Sequence, residues 1–368
     1  MKVAITKCDD YTQEKVDAAV KTACLSAGFP DVSGKKVLLK PNILSDAPLE
    51  KAITTNPAVV KAVIHLLREL GAKEILLGDS PGLQVSGSIP KDSGMADICR
   101  EEKVSWVDFT DKPVVREVPF TRGMRLPFAH ILGEVDILIS LPKFKTHKLM
   151  YATGAMKNQF GTIPSIHKSA CHVKCVSRGS FANLIVGINA LVKPDFAVMD
   201  AIIGMEGAGP ANGMPRHVGL LLASSDLVAL DIAEAAIMGY DPMDIPVIAS
   251  ALKHKTGGEG SYPLLDPKTL AIKDWDRVEI EKGSHLFRNL ILPAITRPFA
   301  KMKAQKLRPA PQFGQPSCIL CLRCVRICPA KALTVEDKKV VIDTRRCVRC
   351  YCCHEICPKN AIVIEENH

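Results

Sequence analysis

Eight cysteines near the carboxyl end constrain this chain more than any other feature. Cys318, Cys321, Cys324 and Cys328 are spaced C-x2-C-x2-C-x3-C and followed by Pro329. Cys347, Cys350, Cys353 and Cys357 repeat that spacing and are followed by Pro358. The stretch is an internal repeat, because Ala332-Leu333-Thr334-Val335 follows the first run where Ala361-Ile362-Val363-Ile364 follows the second. Each half is expected to form a short helix and a strand, giving two pseudo-symmetric halves.

Two-residue gaps turn three sulfurs of one run inward, and the fourth thiolate then comes from the other run. Such crossed ligation is the pattern of a bacterial ferredoxin with two [4Fe–4S] clusters. The expected sets are Cys318, Cys321, Cys324 and Cys357 for one cluster, and Cys347, Cys350, Cys353 and Cys328 for the other. C-x2-C pairs also build tetrahedral zinc sites. A duplicated run of four cysteines ending in Cys-Pro is far more specific to iron and sulfur. Cys352 lies out of phase inside the second run and reads as a neighbour of the ligands.

With 368 residues, the chain is long enough for two domains. The boundaries expected are an α/β domain over 1–283, a basic linker over 284–312 and a ferredoxin domain over 313–368. Thiolate ligands need a reducing compartment, and Met1-Lys2-Val3-Ala4-Ile5 reads as a strand rather than a signal peptide, so the expected location is cytoplasmic. The longest apolar run, 218–240, is broken by Asp226, Asp231 and Glu234 and does not read as a membrane span. The linker mixes Leu286, Phe287 and Ile291 with Arg288, Arg297 and Lys301, but Pro293 and Pro298 interrupt any long helix lying on a membrane. The net charge of +9 comes with only 5% aromatic residues, which argues against nucleic acid and for a small anionic substrate or an acidic partner.

The first 280 residues alternate strand and helix, which predicts a mostly parallel, doubly wound sheet. Lys36–Lys40 reads as a buried strand ending at Lys40-Pro41-Asn42, and Glu74–Gly78 as another ending at Asp79. Open α/β sheets place ligand contacts at such carboxyl ends. The strand over 135–140 runs into Lys143, Lys145, His147 and Lys148, then Gly154, Lys157 and Asn158. Four lysines and a histidine after a core strand point to an anion site. There Lys145 would stabilise negative charge or form a Schiff base, and His147 would serve as acid or base. The strand over 196–200 ends in Asp200, and four glycines in 204–213 read as a flexible lid or ligand loop. Glu206, Gly207, Gly209 and Arg216 are its candidate contacts. The glycines follow neither the Walker A nor the dinucleotide pattern.

Lys40-Pro41-Asn42, Thr55-Asn56-Pro57, Gly78-Asp79-Ser80, Pro142-Lys143-x-Lys145-Thr146-His147 and Met156-Lys157-Asn158-x-x-Gly161 together resemble the domain of unknown function 362 family. Asp200-Ala201-Ile202-x-Gly204-Met205-Glu206-Gly207-x-Gly209-Pro210 extends the likeness, which covers roughly 1–260. The resemblance implies an α/β domain often fused to a two-cluster ferredoxin module, and it supplies no established reaction. His167, Cys171, His172 and Cys175 depart from the family pattern, which usually lacks the two cysteines. A private metal or redox site would lie there, with free thiols the plainer reading.

The leading expectation is an oxidoreductase that takes electrons from a ferredoxin, flavodoxin or reductase and passes them to an anionic substrate or organic cofactor. Lys143, Lys145, His147, Lys157 and Asn158 would bind the acceptor, and Asp79, Asp200 and Glu206 would manage protons or a metal. The alternative is an electron carrier or adaptor whose α/β domain only docks a partner.

Overall fold

The computed structural model describes residues 1–83, 87–280 and 308–364. Most of the expected linker, 284–307, lies outside the described residues. In chain order the elements are β1 (Val3–Lys7), α1 (Gln13–Ala27), β2 (Lys36–Pro41), α2 (Pro57–Glu69), β3 (Glu74–Asp79), α3 (Met95–Glu101) and β4 (Ser105–Asp108). Then come β5 (Val114–Glu117), β6 (Arg125–Phe128), β7 (Ile137–Leu141), β8 (Lys143–His147), β9 (Tyr151–Ala152), α4 (Gly154–Asn158), α5 (Ser165–Lys174) and α6 (Arg178–Val192). The domain closes with β10 (Phe196–Glu206), β11 (Met214–Ser224), α7 (Leu227–Ile237) and α8 (Pro246–Lys253). The carboxyl region contributes α9 (Arg323–Ile327), β12 (Leu333–Glu336), β13 (Lys339–Ile342) and α10 (Cys352–Glu355).

The fold is mixed α/β around a mostly parallel sheet, as the sequence predicts. Its strand order is β1-β11-β10-β7-β2-β3-β4, with β8 joining through β10 and β9 through β8. The five strands β4, β3, β2, β7 and β10 are parallel, and β11 runs antiparallel to both β10 and β1. Alternation along the central strands explains the two layers of helices. Val37 and Leu39 face a core with Val20 of α1 and Val63 of α2, while Leu38 points the other way to Leu76 and Leu138. Asn56 starts α2 by accepting a hydrogen bond from the Ala58 N–H at 2.9 Å, with Pro57 at the first helical position.

The chain leaves β2 in one direction towards β3 and β4 and returns on the other side through β7 and β10. The carboxyl ends of β2 and β7 therefore meet at the reversal point of the sheet, where α/β folds leave a crevice.

The stretch 204–213 belongs to a hairpin: β10 runs on to Glu206 and pairs with β11, Gly204 with Arg216 and Glu206 with Met214, and residues 207–213 form the turn between them. The glycines serve close packing. A Cβ on Gly209 would stand 2.2 Å from the Thr146 carbonyl oxygen, and one on Gly204 2.9 Å from the Phe144 ring.

The carboxyl repeat is written into the backbone. Left-handed residues recur at matching places, Leu320 and Leu322 in the first half and Arg349 and Tyr351 in the second, with Lys331 matched by Asn360. The first half ends in the hairpin β12–β13, whereas among the described residues the second contributes a bridge from Val363 to Gln312.

Candidate functional site

Lys40 ends β2 fully buried, and its ammonium stands 2.8 Å from Asp79 Oδ1 at the end of β3. Lys40 Nζ also donates to Asn158 Oδ1 at 3.2 Å, and Asn158 Nδ2 donates to Ser140 Oγ on β7 at 3.0 Å. Asp79 Oδ2 accepts the Ile43 N–H at 2.8 Å, so the carboxylate holds both its ion partner and the chain leaving β2. Gly161 lies directly over the pair: a Cβ there would be 2.2 Å from Asp79 Oδ1 and 2.6 Å from Lys40 Nζ.

Lys145 is 1% exposed and differs from Lys40 in its partners. Its Nζ donates to Asn42 Oδ1 and to the Ile53 carbonyl, both at 2.7 Å. Among the described residues no carboxylate stands within ion-pair distance of it. Burial, then the charges of Lys157 and Lys143, push its pKa well below the usual lysine value, with Glu355 opposing. His147 Nδ1 accepts the Leu149 N–H at 3.1 Å, which leaves the ring hydrogen on Nε2, 3.5 Å from Glu355 Oε1. Burial, reinforced by Lys157 and Lys145, holds the ring neutral. Behind this floor, Asp231 on α7 accepts the Ala155 and Met156 N–H groups and orients α4, while burial pushes its pKa up to about 7.

These side chains surround a cavity of about 110 Å³. Lys40, Asn42, Asp79, Lys145, His147, Lys157 and Asn158 line it. Lys157 makes no hydrogen bond or ion pair among the described residues, and burial lowers its pKa despite Glu355. The remaining site expectations fall elsewhere. Lys143 is closed into a buried pair with Asp200 at 2.7 Å, shared with the Tyr11 hydroxyl, inside the sheet. Glu206 and Arg216 pair at 3.0 Å, and Arg216 reaches Asp274 at 2.7 Å, which ties the hairpin to a surface loop. Gly207 and Gly209 stay outside the cavity wall, and only Pro210 of that hairpin reaches it.

The sequence reading missed part of the wall. Lys168 and His172 lie four residues apart on one face of α5. Lys168 donates to the Ser80 carbonyl, and burial lowers it to about 8. His172 stacks on Phe181 at 4.5 Å, and burial pushes it down to about 3. The far wall comes from the cysteine repeat itself, as Ile327, Cys352, Glu355 and Ile356. The i, i+4 spacing of Lys168 and His172 was a readable signal; nothing in the second run marked Glu355 as facing another domain.

The eight repeat cysteines fall into two groups, each drawn from both runs. Cys318, Cys321, Cys324 and Cys357 line one apolar cavity. Burial, then among other causes Cys350 and Cys328, raises the Cys347 thiol; Cys353 is raised by burial, then by Cys350, Cys347 and Cys328. Backbone N–H groups of Ala332 and Ala361 donate to Cys328 Sγ and Cys357 Sγ at 3.3 and 3.2 Å, matching across the repeat. A donor set of four thiols in apolar surroundings with N–H···S bonds fits an iron–sulfur cubane. Among the described residues no group of three or more His, Cys, Asp or Glu converges on a single-ion site. That holds for the 167–175 stretch as well, where Cys171 donates to the His167 carbonyl and burial raises the thiols of Cys171 and Cys175 to about 12 and about 11.

Residues 37–236 match the family described as a domain of unknown function, DUF362. The chain belongs to that family. The DUF362 region holds every α/β residue of the cavity wall, and residues 317–361 match the 4Fe–4S dicluster domain, so the carboxyl region is an iron–sulfur module. A Synechocystis sp. protein named Thylakoid-associated protein sll1697 is 32% identical over 251 residues, covering 67% of this chain and 77% of its own length. The lactate racemase apoprotein from Thermoanaerobacterium thermosaccharolyticum overlays with a TM-score of 0.42 at 11% identity, covering 59% of this chain. A Thermotoga maritima protein gives 0.38 at 15%, covering 57%. The chain spans about half of each of those two structures, 54% and 55%. Among the described residues no helix is long and apolar enough to cross a membrane.

Proposed function

We propose that this DUF362 protein is an oxidoreductase carrying single electrons through two [4Fe–4S] clusters to a small organic anion in the lysine-lined cavity. The observation behind this reading is a shared wall: Cys352, Glu355 and Ile356, which sit among the ligands of the second cysteine run, also line the cavity. A cluster held by Cys347, Cys350, Cys353 and Cys328 would stand on the other side of that wall. The clusters supply one-electron carriage when bound. The chain's own residues bind and orient: Lys40, Lys157 and Lys168 make the field positive, and Asn42 Nδ2–H and His147 Nε2–H offer directed hydrogen bonds.

Electrons would enter at the opposite end. Cys318 and Cys321 are exposed, flanked by exposed Ile319, Leu320 and Leu322 and by Arg323 and Arg326. That apolar rim with basic edges suits an acidic carrier such as a ferredoxin or flavodoxin, in a reducing cytoplasmic compartment. The same rim favours the second reading, an adaptor whose α/β domain does no chemistry.

The test is a potentiometric titration followed by EPR, with and without small organic anions. An anion beside the second cluster should lower its potential and leave the first unmoved, and Lys157→Met should abolish the shift. Two potentials indifferent to every anion, with unchanged electron transfer in Lys157→Met and His147→Gln, would leave the adaptor reading standing instead.

A further inference from the structure

We propose that Lys145 is an amine nucleophile that holds a small 2-oxo acid in the cavity as an imine. The inference rests on the reading of the cavity as an acceptor site and names the class of acceptor.

Lys145 stands apart from Lys40 and Lys143 through its partners. Lys40 has Asp79 at 2.8 Å and Lys143 has Asp200 at 2.7 Å, so each is matched by a carboxylate. Lys145 has two neutral oxygens, Asn42 Oδ1 and the Ile53 carbonyl. As an amine, Nζ directs both hydrogens to those oxygens and keeps its lone pair for the cavity it lines. Burial and the neighbouring lysines favour that neutral form. A desolvated lysine beside other cations is the arrangement by which amines become nucleophilic at neutral pH.

The groups facing Lys145 sort by role. Lys143 and Lys157 oppose a second positive charge, while Glu355 and Asp79 favour it. Glu234 lies fully buried behind, its pKa raised well above the carboxylate range by burial and then by Asp231, so it adds no firm counter-charge. On the cavity side, Lys157, Lys168 and the Nε2–H of His147 are placed to receive a carboxylate. A carbonyl carbon for the amine and a carboxylate for the cations together define an oxo acid. The volume of about 110 Å³ suits an acid of a few carbons and is below the 300 Å³ or so where drug-sized pockets begin.

The step balances without a further reactant. Nζ attacks the carbonyl carbon, the N–C bond forms, and the π pair moves to oxygen. Both amine hydrogens pass to that oxygen, the C–O bond breaks, and water leaves the C=N imine. No atom is oxidised or reduced.

The experiment uses the full chain prepared anaerobically with its clusters, incubated with pyruvate, glyoxylate or 2-oxoglutarate and sodium cyanoborohydride, then digested for mass spectrometry. The expected result is one alkylated lysine, Lys145, dominating over every other lysine and absent in Lys145→Arg. If the acids shift the cluster potential but no adduct appears on Lys145, the imine is overturned and the electron-relay reading survives. If neither shift nor adduct appears, both fall. Adducts spread evenly over surface lysines, unchanged in Lys145→Arg, also overturn the imine.

Discussion

Single side chains around the cavity carry unequal energetic weight, and their burial decides which matter. Removing one partner of a buried ion pair leaves a stranded charge, at a cost of about 3–5 kcal/mol, whereas removing both can be nearly neutral. Asp79→Ala should therefore lower the urea midpoint sharply, and Lys40→Met with Asp79→Ala should recover much of the loss. Arg216 lies at the surface with Glu206 and Asp274, so Arg216→Ala should leave the urea midpoint almost unmoved and the anion response intact. His172 gives a pH signature. Its folded pKa of about 3 lies below its unfolded value of about 6.5, so the unfolded state binds the extra proton first. The stability it contributes is complete above about 6.5 and declines as pH falls towards 3. His172→Phe keeps the stack on Phe181, and thermal midpoints between pH 7 and pH 4.5 should then fall less than in the natural chain.

At the level of elements, the alternating pattern of the amino-terminal domain was legible because its signals are local. Asn56-Pro57 starts α2, Gly28 ends α1 in a left-handed conformation, and β2, β3 and β7 are centred on the apolar runs Val37–Leu39, Ile75–Leu77 and Ile137–Ile139. Lys40, Asn42 and Asp79 could be anticipated as strand ends, since position along a strand decides which edge of the sheet a residue reaches. The 204–213 stretch could not. Glycines that permit close backbone approach look alike whether they approach a ligand or, as here, the Thr146 carbonyl. Gly161 shows the opposite case, a glycine whose missing side chain leaves room for the Lys40–Asp79 pair. Gly161→Ala should force that pair apart, costing about 1–3 kcal/mol from overpacking and abolishing the effect of anions on the cluster potentials. Denaturation curves and the same potentiometric titration check both parts.

For the molecule as a whole, the cysteine spacing leads to an expectation of crossed ligand sets, and Cys357 of the second run lines one cavity with Cys318, Cys321 and Cys324 of the first. The spacing said nothing about where that module sits. The contacts joining the module to the sheet domain, such as Asn212 donating to the His354 carbonyl and Lys51 to the Pro358 carbonyl, are single hydrogen bonds between distant segments without a periodic signature. They nevertheless bring the second cysteine run to the wall of the cavity. The most direct check is to reduce the clusters fully under anaerobic conditions, mix with a small 2-oxo acid, and follow their visible absorbance by stopped flow. Reoxidation accelerated by the acid, and lost in Lys157→Met with the cluster spectrum intact, is the outcome expected of a cavity that receives the electrons. Reoxidation at one rate with or without the acid, and in both proteins, would contradict it.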